Sequence, residues 1–263
     1  PGALAGVKYF LVPNLENFSW MTVVTAMGQM FYSLSIAMGI LITFGSYMKK
    51  DISIEGSTRN VEVFDTAIAI MAGLMIIPAV FAFSGGDPDT LQAGPSLMFI
   101  TLPKVFDSMG MGTLVGILFF LLVLFAALTS AISLMETVVS IVIDKFHVKR
   151  AVACIIVFIG MMLLALPSSL GNGVWSHIQI LGMDFLTFFD FISNSVIMPI
   201  VALLTCIFIG YVVKTQLVVD EVKSSSKFSR EKLFVVVIKY IAPIFIVAIL
   251  VSSVLSGLGI ITI

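Results

Sequence analysis

Ser33, Ser35 and Gly39 sit near the centre of a stretch, Phe18 to Met48, that contains no Asp, Glu, Lys or Arg. Hydroxyls can ligate a hard cation or hydrogen-bond a polar solute, and glycine lets a backbone leave the helical conformation. An unbroken helix across hydrocarbon gains little from such a cluster. A helix interrupted there frees carbonyls and amides that can hold an ion and a polar molecule, so the stretch predicts a discontinuous helix of the kind transporters use. The alternative is local, with both hydroxyls bonded back to carbonyls of their own helix. Gln29 and Tyr32 supply further polar groups close by.

A second constellation is Ala126-Ala127-Leu128-Thr129-Ser130. Adjacent hydroxyls at Thr129 and Ser130, with the Ala126 carbonyl one turn earlier, can present three oxygens on one helix face. Sodium is a hard cation that neutral carbonyls and hydroxyls can satisfy without a stranded carboxylate. The same small residues also suit close helix packing. Four acids remain. Asp65 opens an apolar run, Glu136 lies six residues after Ser130, and Asp184 and Asp190 precede another apolar run. Glu136 must be paired, protonated or bonded to backbone, and reads as a structural or gating group. Metal-ligand spacing, a nucleophile elbow, a phosphate loop and a Cys–His pair are all absent, so enzyme chemistry is not expected.

The elements that must carry these groups follow from composition. Hydrophobic residues make up 59% of the 263 and charged residues 11%. Windows free of Asp, Glu, Lys and Arg run over 17–48, 66–86, 108–135, 151–183, 191–213 and 240–263. Each reaches the ~20 residues that cross a bilayer. The expectation is an all-α, polytopic transmembrane helix bundle with spans at about 20–48, 61–84, 111–144, 149–169, 186–213 and 234–260, the first broken near 33–38. The short alternating segments of a membrane barrel are missing.

Twelve of the fourteen Lys and Arg fall in alternate loops, around 49–59, 145–150 and 214–239. The positive-inside rule makes those loops cytoplasmic and puts both ends of the chain outside a cell membrane. Residues 84–110 form an outer segment whose later part, Gly94 to Pro103, reads as a short re-entrant helix. The linker 214–233, with Ser224-Ser225-Ser226, reads as flexible. Cys154 and Cys206 lie in apolar spans and predict no disulfide. The lipid bilayer is the expected partner, and nucleic acid is not.

The run Gly28-Gln29-Met30-Phe31-Tyr32-Ser33-Leu34-Ser35, followed by Gly39 and Thr43-Phe44-Gly45-Ser46-Tyr47, resembles the sixth helix of the neurotransmitter:sodium symporters. Agreement continues through Ala72-Gly73, Pro78-Ala79-Val80-Phe81, Gly94-Pro95-Ser96-Leu97 and Ala126 to Ser130. The chain is similar to helices six to eleven of a prokaryotic, eleven-helix member with the leucine-transporter-type fold, and is expected to be the C-terminal part of a longer protein.

The resemblance implies sodium-coupled uptake of an amino acid by alternating access. It implies a solute pocket lined by Tyr32, Ser33, Ser35, Met38, Ser130 and Leu134. Sodium would be bound at one site through Ser33 and at a second through Ala126, Thr129 and Ser130. Asp65 would ligate or neutralise the ion. Asp190 would be the outer-gate acid, with Asp184 a competing alignment. The missing N-terminal helices would supply the other half of both sodium sites. Ala37 stands where the family often has glycine, and Met38 where it often has an aromatic residue. Two other classes fit parts of the pattern: an ion channel lined by the same hydroxyls, and a non-transporting membrane scaffold derived from the family.

Overall fold

Long apolar runs can bury their backbone polar groups in hydrocarbon only as helices or closed barrels. The computed structural model, which describes residues 2–15, 18–85 and 96–257, is nearly all helical. In chain order the helices are α1 (Gly2–Leu11), α2 (Trp20–Ser33), α3 (Ile40–Ser46), α4 (Ile54–Ser84), α5 (Leu102–Asp107), α6 (Gly112–Phe146), α7 (Arg150–Gly171), α8 (Phe185–Asp190), α9 (Met198–Ile207), α10 (Thr215–Ser225), α11 (Glu231–Val236) and α12 (Ala242–Gly257). Wide π-type turns over Leu97–Thr101, Phe191–Ile197, Phe208–Val212 and Val237–Ile241 continue the helices beside them.

Five continuous runs among the described residues are long and apolar enough to cross a membrane: Ile54–Ser84, Gly112–Phe146, Arg150–Gly171, Phe185–Val212 and Glu231–Gly257. They turn many large apolar side chains outward, Leu122, Phe125 and Leu163 among them. Water would penalise that surface and lipid does not. The remaining charge-free window is divided between α2 and α3. Of the expected re-entrant segment, 86–95 lie outside the described residues, while 97–107 are helical.

The expected flexible linker is instead largely helical. α10 buries Thr215, Val219 and Val222 on one stripe, the four- and three-residue spacing of an amphipathic helix. The turn after it is tied down, with Ser226 Oγ 2.8 Å from Ser53 Oγ and the Ser229 amide donating to Glu55 Oε2 at 2.9 Å.

The chain forms two compact units, Pro1–Phe18 with Asn60–Ala131, and Ser19–Arg59 with Ile132–Ile263. In the first, Val80, Leu102, Val105 and Phe106 make the core, and Phe106 packs its ring on Phe119 at 5.3 Å. α1 lies against α4 through notches that only glycine leaves. A Cβ at Gly6 would fall 2.7 Å from the Pro78 Cα, and one at Gly73 would fall 2.4 Å from the Phe10 ring. Replacing Gly73 with valine should expel Phe10 and cost about 1–3 kcal/mol, the usual penalty of overpacking. Thermal unfolding of the purified full-length protein should register this as a drop of several degrees, partly restored by Phe10→Ala. An unchanged melting point would mean that the ring does not occupy the notch.

In the second unit α9, α12 and α2 pack together around Ala202, Cys206 and Ile246, with Phe31 and Ala37 against them. A second cluster, Val139, Ala153 and Val157, joins the later part of α6 to α7.

Candidate functional site

The interruption between α2 and α3 is built from left-handed backbone. Ser35, Ala37 and Gly39 have φ of 54°, 64° and 78°. The conformation is free for glycine but costs roughly 1–2 kcal/mol for each of the other two. Surrounding contacts must therefore enforce it. The amides of Leu34, Ser35 and Ile36 fold back onto the carbonyls of Met30, Tyr32 and Phe31. Phe31 and Ala37 are gripped by the α9–α12 core. Gly39 is pressed so close to α6 that a Cβ would sit 2.9 Å from Thr137 Cγ2.

α3 then restarts with Thr43 donating to the Gly39 carbonyl. The amides at its start have no carbonyl a turn earlier to bond, while the Met30, Phe31 and Tyr32 carbonyls at the end of α2 each accept one turn amide and keep a second lone pair. Aligned peptide dipoles make the first end partly positive and the second partly negative. A broken helix thus offers a carboxylate and a cation complementary backbone at one level of the membrane.

Beside the break, α2, α8–α9 and α12 enclose a cavity of about 350 Å³. Its polar wall includes Gln29, Tyr32, Asp190, Asn194, Ser195 and Ser253, and its apolar wall includes Phe31, Met198, Ile246 and Ile249. Of the residues singled out in sequence, Gln29, Tyr32 and Asp190 meet here. Ser33, the last residue of α2, and Ser35 and Met38 in the break lie outside this lining, and Leu134 on α6 is exposed. Asn194, Ser195, Met198 and the α12 residues were missed by the sequence reading. A polar amide four residues after Asp190 in an apolar run was the available signal.

The two acids of this region differ in kind. Asp184 is the N-cap of α8, accepting from the Thr187 amide at 3.0 Å and the Thr187 hydroxyl at 2.7 Å. Those bonds, the hydroxyl first and then the amide, hold its carboxyl below the usual carboxylate range. Asp190 uses one oxygen on Asn194 and faces the cavity. Asp184→Ala should therefore act on stability alone, costing about 1 kcal/mol as N-cap losses do. A carboxylate whose pKa is lowered on folding stabilises above its unfolded pKa, and that gain fades as pH falls through the lowered folded value. The melting difference between wild type and Asp184→Ala should accordingly persist at neutral pH and shrink only below the ordinary carboxylate range. A difference independent of pH would exclude the capping role.

Glu136, expected to need partners inside its span, has two. Tyr47 at the end of α3 donates to Oε1 at 2.7 Å, and Arg150 at the start of α7 reaches Oε2 at 2.5 Å. The acid joins three helices of the second unit, a structural clasp at the end of the broken segment.

In the first unit, Asp65 lies half-buried within α4. On α6, Thr129 Oγ1 donates to the Ala126 carbonyl at 2.9 Å, while Ser130 is exposed. The hydroxyl and carbonyl oxygens proposed as ion ligands are thus adjacent. The bond between them is also the back-bond that any helical threonine can make.

A family model described as the sodium:neurotransmitter symporter family matches residues 1–258. A sodium-dependent transporter of Haemophilus influenzae is 33% identical over 258 residues, 96% of this chain and 54% of that protein. The sodium-dependent transporter YhdH of Bacillus subtilis is 32% identical over 248 residues, 94% of this chain and 54% of its own length. The crystal structure of MhsT in complex with L-phenylalanine superposes with a TM-score of 0.82 at 37% identity, covering 96% of this chain and 56% of MhsT. The chain spans about half the length of the relatives it matches.

Proposed function

Because the chain belongs to the sodium:neurotransmitter symporter family, a family of transporters and not of enzymes, we propose that it forms part of a symporter that takes up an amino acid with sodium by alternating access. Its fold is of the leucine-transporter type, and it is a multi-pass membrane protein. The observation that carries the proposal is the helix interrupted at 34–39, where left-handed backbone opens main-chain groups inside an otherwise apolar span. An amino acid is favoured because a zwitterion needs complementary backbone at both charges, and because MhsT, a similar structure, is seen in complex with L-phenylalanine.

In this reading Tyr32, Ser33, Ser35 and Met38 of the broken segment and Leu134 of α6 contact the solute. Ala126, Thr129 and Ser130 of α6 ligate sodium, Asp65 of α4 supplies fixed negative charge, and Asp190 closes over the solute from outside. The rest of each site comes from the N-terminal helices of the complete protein. The Lys- and Arg-rich loops face the cytoplasm, which puts Pro1 and Ile263 outside.

The complete protein in proteoliposomes tests the reading directly. An inward sodium gradient should drive saturable uptake of at least one radiolabelled L-amino acid, and replacing sodium with potassium should abolish it. Conductive, non-saturating flux would favour a channel. Neither uptake nor amino-acid binding would leave only the scaffold.

A further inference from the structure

Asp190 sits at the junction of α8 and the wide turn Phe191–Ile197. At the ~100° per residue of an α-helix, Asp190, Asn194, Ser195 and Met198 would spread over about 140° of the surface. A π-type turn advances less per residue and draws them together. All four line the same cavity. Within that arc Asn194 Nδ2 donates to Asp190 Oδ1 at 2.6 Å. The donor assignment is forced, since an ionised carboxylate only accepts. The bond is charge-assisted and therefore among the stronger hydrogen bonds. It restrains the carboxyl group on the wall of a cavity that Gln29 and Tyr32 also line.

We propose that Asn194 is the positioning residue of the outer carboxylate. It holds Asp190 ready for a closing partner before solute arrives, so the rotameric entropy of the acid is lost once on folding and not at every closure. The four-residue spacing sets the amide beside the carboxylate, and the wide turn gathers Ser195 and Met198 onto the same wall. This inference rests on the reading of Asp190 as the closing group.

A double-mutant cycle in the complete transporter tests it. The background carries Cys154→Ser and Cys206→Ala, with a reporter thiol from Ser253→Cys on the α12 wall of the cavity. A membrane-impermeant thiol reagent is applied in sodium, with and without a mixture of all common L-amino acids except cysteine. In the parent the amino acids should slow labelling by about tenfold, a usual size for coupling between two binding events. Asp190→Ala and Asn194→Ala should each remove most of that protection. Asn194→Gln, whose amide can still reach the acid, should keep it. The double variant should be no worse than Asp190→Ala, because residues acting through one interaction are not additive. Binding of radioactive sodium should be unchanged in Asn194→Ala, which a misfolded protein could not show.

Loss of protection in Asp190→Ala but not in Asn194→Ala overturns the positioning role alone, as do losses that add in the double variant. Full protection in Asp190→Ala, or none in the parent, overturns the closing role and the positioning role with it.

Discussion

Replacing Thr129 and Ser130 together with alanine in the complete transporter should lower its apparent affinity for sodium at least about tenfold, which requires a loss of only 1.4 kcal/mol. The argument starts from the cost of dehydrating a small cation, which the protein repays with oxygens already in place. Each charge-assisted contact contributes roughly 1.5–3 kcal/mol, so two missing contacts exceed the threshold even after relaxation or an entering water. In the structure the Thr129 hydroxyl is spent on the Ala126 carbonyl. An arriving ion that displaces this bond gains both oxygens. Thr129→Ser should keep most of the affinity, and Thr129→Val, equal in shape but without the oxygen, should lose it. Sodium-dependent fluorescence or radioactive sodium binding provides the measurement. If the double alanine variant binds sodium as wild type does, the residues are a packing face and the ion lies elsewhere.

The second large effect concerns Asp65. A carboxylate near a bound cation lowers the cost of desolvating it, as a mobile anion would. A fixed charge makes the mobile one unnecessary, so transport by the wild type should proceed fully in chloride-free buffer. Asp65→Ser removes the charge and leaves a hydroxyl that can join an anion's hydrogen bonds. Transport by this variant should fall by at least about tenfold without chloride, the change that 1.4 kcal/mol of lost ion stabilisation produces. Chloride should restore part of it, in a saturable manner. A wild type that already requires chloride would refute the role assigned to Asp65. So would an Asp65→Ser variant that is inactive at every chloride concentration while sodium still binds.

The stretch around Ser33 illustrates what local sequence can convey. Hydroxyls and a glycine inside a charge-free window are an anomaly that needs no partner to be noticed, because the bilayer imposes one rule on every residue in it. Glu136 was legible in the same way. A carboxylate deep in an apolar run needs partners, although nothing local pointed to Tyr47, 89 positions away, or to Arg150. The linker was misread for the opposite reason. Val219 and Val222 become informative only when something lies against them.

By itself the sequence determined the class, the number of apolar windows and the place of the broken helix, since each depends on hydrophobicity and backbone preference summed over neighbouring residues. It also held the family's motifs in order, from Gly28 to Ser130. Tertiary structure decided which acid faces the cavity. Asp184 and Asp190 stand six residues apart in similar apolar company, and only the folded chain commits the first to capping α8 and sets the second, bonded to Asn194, in the wall of the cavity that Tyr32 also lines. It also decided that Ala37 can occupy a left-handed conformation, because the grip of Ala202, Cys206 and Ile246 outweighs a local penalty that sequence alone would forbid. Such choices turn on contacts between residues far apart in the chain, where a few kcal/mol of packing overrides local preference.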